Sequence, residues 1–116
     1  MEKKTIIQRL KKQDKEPLDK AYRYYSILSA INGLDLTSRQ LQLIAFIAVK
    51  GTISYDSNKK EFCSLYNSSP ATINNIVFEL KKKKILIKDS AKIKVNPQIL
   101  LNFNEDIILQ ISLTKE

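Results

Sequence analysis

Residues 41–49, Leu-Gln-Leu-Ile-Ala-Phe-Ile-Ala-Val, hold eight apolar residues around the single polar Gln42. Thr37-Ser38-Arg39-Gln40 in front of them is a capping box: the threonine hydroxyl accepts a backbone N–H three residues on and the glutamine side chain returns the bond, so a helix starts there. Leu41, Ile44, Ala45 and Ala48 line one stripe of that helix, and Leu43, Phe46, Ile47 and Val49 widen it until little is left to face water. Such a helix has to be surrounded by the rest of the chain. It is far shorter than the roughly 20 apolar residues a bilayer requires, and no signal-type apolar block follows the charged N-terminus. The expectation is a cytoplasmic protein with no membrane partner, its 116 residues forming one domain around a central helix.

The flanking segments supply the surroundings. Pro17 suits a first helical turn, Leu18, Ala21, Tyr22, Tyr25 and Leu28 recur at helical spacing, and Gly33 is a C-terminal stop. Tyr22, Tyr24 and Tyr25 crowd together on that helix, so at least one of them is expected to face away from the core. After Lys50-Gly51, the stretch Thr52-Ile53-Ser54-Tyr55 alternates like a small strand, and Asn58 with Glu61 three residues later repeats the capping signature for a short third helix. Ser69-Pro70 pairs an N-cap hydroxyl with a proline at the first helical position; a fourth helix is predicted from there to about Lys83, with Ile73, Ile76, Val77 and Leu80 as its buried stripe. Ile85-Leu86-Ile87-Lys88, a turn at Asp89-Ser90-Ala91, and Lys92-Ile93-Lys94-Val95 predict a β-hairpin. A last strand is expected from Asp106 to Thr114, where Ile107, Leu109, Ile111 and Leu113 alternate. Residues 1–16 form a basic arm whose Ile6, Ile7 and Leu10 fit a narrow helical stripe. The fold class expected is mainly α with a small hairpin (α+β), an N-terminal helical arm, a domain over residues 17–116 and a C-terminal extension over residues 98–116 that ends in a strand.

Composition then removes most chemistry. With no His, one Cys and only Gly33 and Gly51, neither a zinc site, nor a Cys-His or Ser-His-Asp nucleophile, nor a glycine-rich phosphate loop can be assembled. Cys63, between Phe62 and Leu65, reads as a small buried hydrophobe. A non-enzymatic chain without catalytic residues, cofactor or metal is expected. Twenty basic residues against 12 acidic ones give a net charge of +8, which points to a polyanionic partner. Seventeen of the 20 cations are Lys, and 16 Ile with 8 Asn give the chain the composition of an AT-rich genome, so part of that excess is compositional. It falls in two blocks: residues 1–25, with eight cations and four acids, and residues 58–95, with nine and three.

The order helix, short strand, helix, tight turn, helix, hairpin over residues 37–97 resembles a winged helix-turn-helix domain. Its most specific stretch is Tyr66-Asn67-Ser68-Ser69-Pro70-Ala71-Thr72-Ile73, followed by Val77-Phe78-Glu79-Leu80-Lys81-Lys82-Lys83-Lys84-Ile85-Leu86-Ile87. These are similar to the turn, helix start and lysine-rich helix end of MarR-like regulators and of phage or plasmid replication initiators, and the Val95-Asn96-Pro97 exit resembles the latter. One departure is Lys84, which stands where many members carry glycine before the wing strand.

The resemblance implies a recognition helix starting at Ser69. At 100° per residue, the face opposite its buried stripe carries Ala71, Asn74, Asn75, Phe78 and Lys82, with Thr72 at the margin. Double-stranded DNA is then the expected partner, with Asn74 and Asn75 reading adenine edges through their carboxamides. Ser68, Ser69 and Thr72 would hold phosphates at the helix start, and Lys88, Lys92 and Lys94 on the wing, with Lys59, Lys60 and Lys82, would add further phosphate contacts. The role implied is a transcriptional regulator or replication accessory of a bacterium, phage or plasmid. Phe78 and the lack of any Arg between Ser69 and Val95 fit a different use of the same fold: protein docking in a large assembly such as a phage virion, through Phe78, Tyr22, Tyr24 and Tyr25. A homodimer fits either use, since the helix from Leu18 and the apolar final segment can each pair with a second copy.

Overall fold

The computed structural model describes the backbone of residues 2–9 and 16–115 and the side chains of residues 16–110. Its elements run β1 (Glu2–Arg9), α1 (Pro17–Asn32), α2 (Ser38–Lys50), α3 (Asp56–Tyr66), α4 (Pro70–Lys82), β2 (Leu86–Asp89), β3 (Lys92–Val95), a 3-10 turn (Pro97–Ile99) and β4 (Ile108–Lys115). The chain is mainly helical with a small antiparallel hairpin, as expected.

The central helix is α2, which buries Leu41, Leu43, Ile44, Ala45, Phe46 and Ile47. Its Thr37 capping box closes in both directions, with Gln40 N–H donating to Thr37 Oγ1 (3.1 Å) and Thr37 N–H to Gln40 Oε1 (2.9 Å). Around it stand Ala21 and Tyr25 of α1, Phe62 of α3, Ile73, Ile76 and Leu80 of α4, and Leu86 and Val95 of the hairpin. The stop signals act as backbone devices. Gly33 adopts a left-handed conformation after α1, Asn67 does so after α3, and Lys84 takes φ +60° after α4. After α4 the Lys84 N–H bonds Lys81 O (3.0 Å) and the Ile85 N–H bonds Leu80 O (3.0 Å), the Schellman pattern that satisfies two orphan carbonyls. Ser90 and Ala91 also have positive φ, as a two-residue hairpin turn requires.

Three expectations are corrected. The N-terminal arm is not a helix: its residues 2–9 form β1, paired antiparallel with β4 from Glu2↔Lys115 to Arg9↔Ile108. Eight residues with Thr5, Ile6 and Ile7 at the centre make a poor isolated helix and a good partner for the alternating final segment; Leu10 lies outside the described residues. Thr52 to Tyr55 is not a strand. The hydroxyls of Thr52 and Ser54 substitute for a third strand, Thr52 Oγ1 donating to Ile93 O (2.7 Å) and Ser54 Oγ accepting from Ile93 N–H (2.8 Å), so both outward backbone groups of Ile93 are satisfied without a ladder. Helix α3 starts two residues before Asn58, whose amide is occupied in donating to Thr52 O (2.8 Å). No helix among the described residues is long and apolar enough to cross a membrane.

Candidate nucleic-acid interface

Helix α4 is fixed by what lies at its two ends and beneath it. Ser69 Oγ accepts the Thr72 N–H (3.2 Å) and lies 3.0 Å from Thr72 Oγ1, so the start is locked by its N-cap. Ile73, Ile76 and Leu80 anchor the inner side, leaving Ala71, Asn74, Asn75, Phe78 and Lys82 exposed on the outer one. The face derived from helical geometry is the face that is presented.

The asparagines of this chain divide informatively. Asn32, Asn58, Asn96, Asn102 and Asn104 all spend their carboxamides on hydrogen bonds within the fold, and Asn67 supplies the left-handed residue that ends α3. Asn74 and Asn75 do neither; both are exposed in the middle of α4 with no side-chain hydrogen bond among the described residues. Asparagine is a poor helix former, so two in succession there contribute nothing to the fold that alanine would not improve.

The expected phosphate-binding residues are not equivalent. Lys88 is exposed and unpaired among the described residues. Lys94 is half-buried, its ammonium 3.6 Å from Asp89 Oδ2 of the same hairpin. Lys92 lies with its Nζ 5.0 Å above the ring centroid of Tyr55, a residue the sequence reading did not single out. Tyr55 is the N-cap position of α3, half exposed, and it links the hairpin to the start of that helix. One turn further on, Lys59 and Lys60 border a surface groove of about 410 Å³ together with Asp56, Cys63 and Pro70, the first residue of α4. Lys92, Tyr55, the two lysines and the beginning of α4 therefore form one continuous surface. Cys63 is half-buried on its floor rather than fully enclosed. Ser68 departs from expectation: its Oγ is buried, so the hydroxyl does not reach a phosphate. The hydroxyls of Ser69 and Thr72 stay at the helix surface but engage each other.

Phe78 is 58% exposed, and the Lys82 ammonium sits 4.3 Å over its ring centroid, so the two side chains act as one cationic and aromatic unit. The three tyrosines are covered to different degrees, Tyr22 and Tyr24 only in part. Tyr25 is buried and donates from its hydroxyl to Ile99 O (2.8 Å), and Tyr24 packs edge-on against Tyr25 and tilts onto Phe103. Burial pushes both hydroxyls above their ordinary pKa, Tyr25 the more, with the neighbouring Tyr24 adding to its shift. Tyr22 is half-buried against the core and, with Asp19, Arg23, Ser26 and Ile27, lines a shallow depression on α1. Aromatic spacing alone could not distinguish these, because the C-terminal segment that covers Tyr24 and Tyr25 follows them by more than 70 residues.

Among the described residues no group of three or more His, Cys, Asp or Glu comes together as a metal site. Set against models of known families, curated proteins and solved structures, the chain matches none.

Proposed function

We propose that the chain is a non-enzymatic winged-helix protein that binds double-stranded DNA, with α4 in the major groove and the β2–β3 hairpin as its wing. The observation that carries this reading is the pair Asn74 and Asn75, exposed side by side on a rigidly capped helix and free of any role in the fold. Carboxamides in that position suit bidentate pairing with adenine N6 and N7. The lysines divide the phosphate contacts: Lys88 and Lys60 reach outward, Lys59 and Lys92 flank the helix start, and Lys82 follows one turn after Phe78. A regulator or replication accessory of a bacterium, phage or plasmid is the corresponding role, acting in the cytoplasm.

The test is titration of labelled duplexes at roughly 50 and 200 mM salt, where binding dominated by phosphate contacts weakens steeply. Asn75→Ala is expected to lower discrimination between preferred and random sites, by about 1–3 kcal/mol for a lost bidentate pair. Lys88→Ala is expected to weaken binding to all sequences alike and to reduce the salt slope by about one. Equal affinity of wild type and both variants for every duplex overturns the reading. Exposed Phe78 supports a second use of the same face, docking on a protein in a larger assembly; absence of duplex binding even at the lower salt, with loss of assembly by Phe78→Asp, favours it.

A further inference from the structure

The ribbon β1–β4 is held by its root. Ile107 is buried and Leu109 packs against the core, but beyond them the backbones of the two strands pair with each other, and among the described residues neither strand makes extended backbone contact with α1–α4. Among the described residues no further strand pairs with either outer edge. A two-stranded ribbon alone in water is marginally stable, and its open edges are templates for another strand.

The two edges differ in a way that selects one of them. β1 carries Glu2, Lys3, Lys4 and Arg9 within eight residues. Two copies of β1 paired antiparallel about Ile6 would set Lys3 against Arg9, like charges directly opposite. β4 has no charged residue before Lys115. Its centre, Leu109-Gln110-Ile111-Ser112-Leu113, reads apolar, polar, apolar, polar, apolar from either end. An antiparallel pair of two β4 strands with a twofold axis at Ile111 therefore opposes Ile111 to its own copy, Leu109 to Leu113 and Gln110 to Ser112, matching apolar to apolar and polar to polar in these central pairs, with Ile108 opposite Thr114 at the ends. A shift by one residue in either direction would oppose Ile111 to a polar residue and Gln110 to an apolar one.

We propose that the chain forms a twofold homodimer by edge-to-edge pairing of β4 with the β4 of a second copy, centred on Ile111, giving a four-stranded sheet in the order β1-β4-β4-β1. The occupant is a second copy because the pattern is its own complement under a twofold axis. The inference stands on the ribbon and does not depend on the DNA-binding reading.

Sedimentation of the full chain over a dilution series tests it. Wild type is expected to reach twice the chain mass of 13.4 kDa at the upper end, and Ile111→Lys, which sets two ammonium groups opposite each other, to remain at 13.4 kDa. A wild-type monomer throughout, or an Ile111→Lys dimer as stable as wild type, overturns the proposal. Cross-linking tests the register without relying on that variant. In a Cys63→Ser background, Ile111→Cys stands opposite its own copy at a Cα separation of about 4.5–5.5 Å, within disulfide range, and is expected to oxidise to a covalent dimer. Ile108→Cys lies roughly 20 Å from its copy in the same register and is expected to stay unlinked. Linking at 108 and not at 111, or at neither in a dimeric sample, refutes the pairing.

Discussion

Lys84 holds φ +60° at the end of α4, a conformation that costs a residue with a Cβ energy and costs glycine little. It is kept there by its neighbours. Its N–H closes one turn of the Schellman pattern onto Lys81, and its carbonyl accepts from Asn96 Nδ2 (2.9 Å), the residue at which the chain leaves the hairpin. Its own side chain is exposed. Lys84→Gly is therefore expected to stabilise the protein by roughly 0.5–1 kcal/mol, read as a higher urea midpoint at unchanged m-value; an unchanged or lower midpoint would show that the lysine side chain contributes more than its backbone costs. Asn67 and Gly33 need no such relief, since asparagine and glycine are the residues that visit this region readily.

The hairpin is the element whose support was hardest to foresee. Thr52 and Ser54 alternate as strand residues do, and hold the positions a third strand would occupy, but they reach β3 through hydroxyls rather than through a backbone ladder. That makes the bracing dependent on two side chains. Ser54→Ala leaves the part-buried Ile93 N–H without its partner, which costs about 1 kcal/mol, the lower end of the range for an unpaired donor. Hydrogen exchange at the Ile93 amide is expected to accelerate selectively, with the amides of α2 unaffected; uniform acceleration across the protein would mean that the hairpin and the helices open together. Because Tyr55 and Lys92 meet at the same place, loosening it would also separate the hairpin from the groove beside α4.

Across the whole molecule, Tyr25 ties α1 to the C-terminal segment, through its hydroxyl on Ile99 O and its ring against Phe103. Its ionisation is opposed chiefly by burial and further by Tyr24, so the folded chain holds this proton at a pH where the unfolded chain, near 10, releases it. The unfolded state then binds fewer protons than the folded one, and stability falls as pH rises. The contribution is complete below pH 10 and is lost progressively above it. Melting temperature is expected to decline above pH 10 in wild type and to decline less steeply in Tyr25→Phe, which forfeits the hydrogen bond but cannot ionise; parallel alkaline slopes would assign the loss to other groups. The overall dimensions of 50 × 32 × 25 Å and a radius of gyration of 15.2 Å exceed the about 13 Å of a compact chain this long. The projecting ribbon accounts for an elongated molecule built on an otherwise close-packed helical body.

Local rules were enough for every feature whose cause is local. The Thr37 box, the Ser69-Pro70 start, the Gly33 stop, the buried face of α4 and the hairpin turn at Ser90 and Ala91 each depend on residues within one or two turns of one another, and all are legible in the sequence. So is the outward face bearing Asn74 and Asn75, which follows from helical geometry once the buried stripe is known. What stayed hidden depends on partners distant along the chain. Residues 2–9 carry too few apolar positions to fix their own conformation, and they become a strand because β4, a hundred residues later, offers an alternating edge. The three tyrosines look alike until Phe103 and Ile99 cover two of them, and the hydroxyls of Ser68 and Thr52 look alike until one is found buried and the other bonded to Ile93. Short-range hydrogen bonding and periodicity act before the chain closes on itself; burial, pairing partner and access to solvent exist only afterwards.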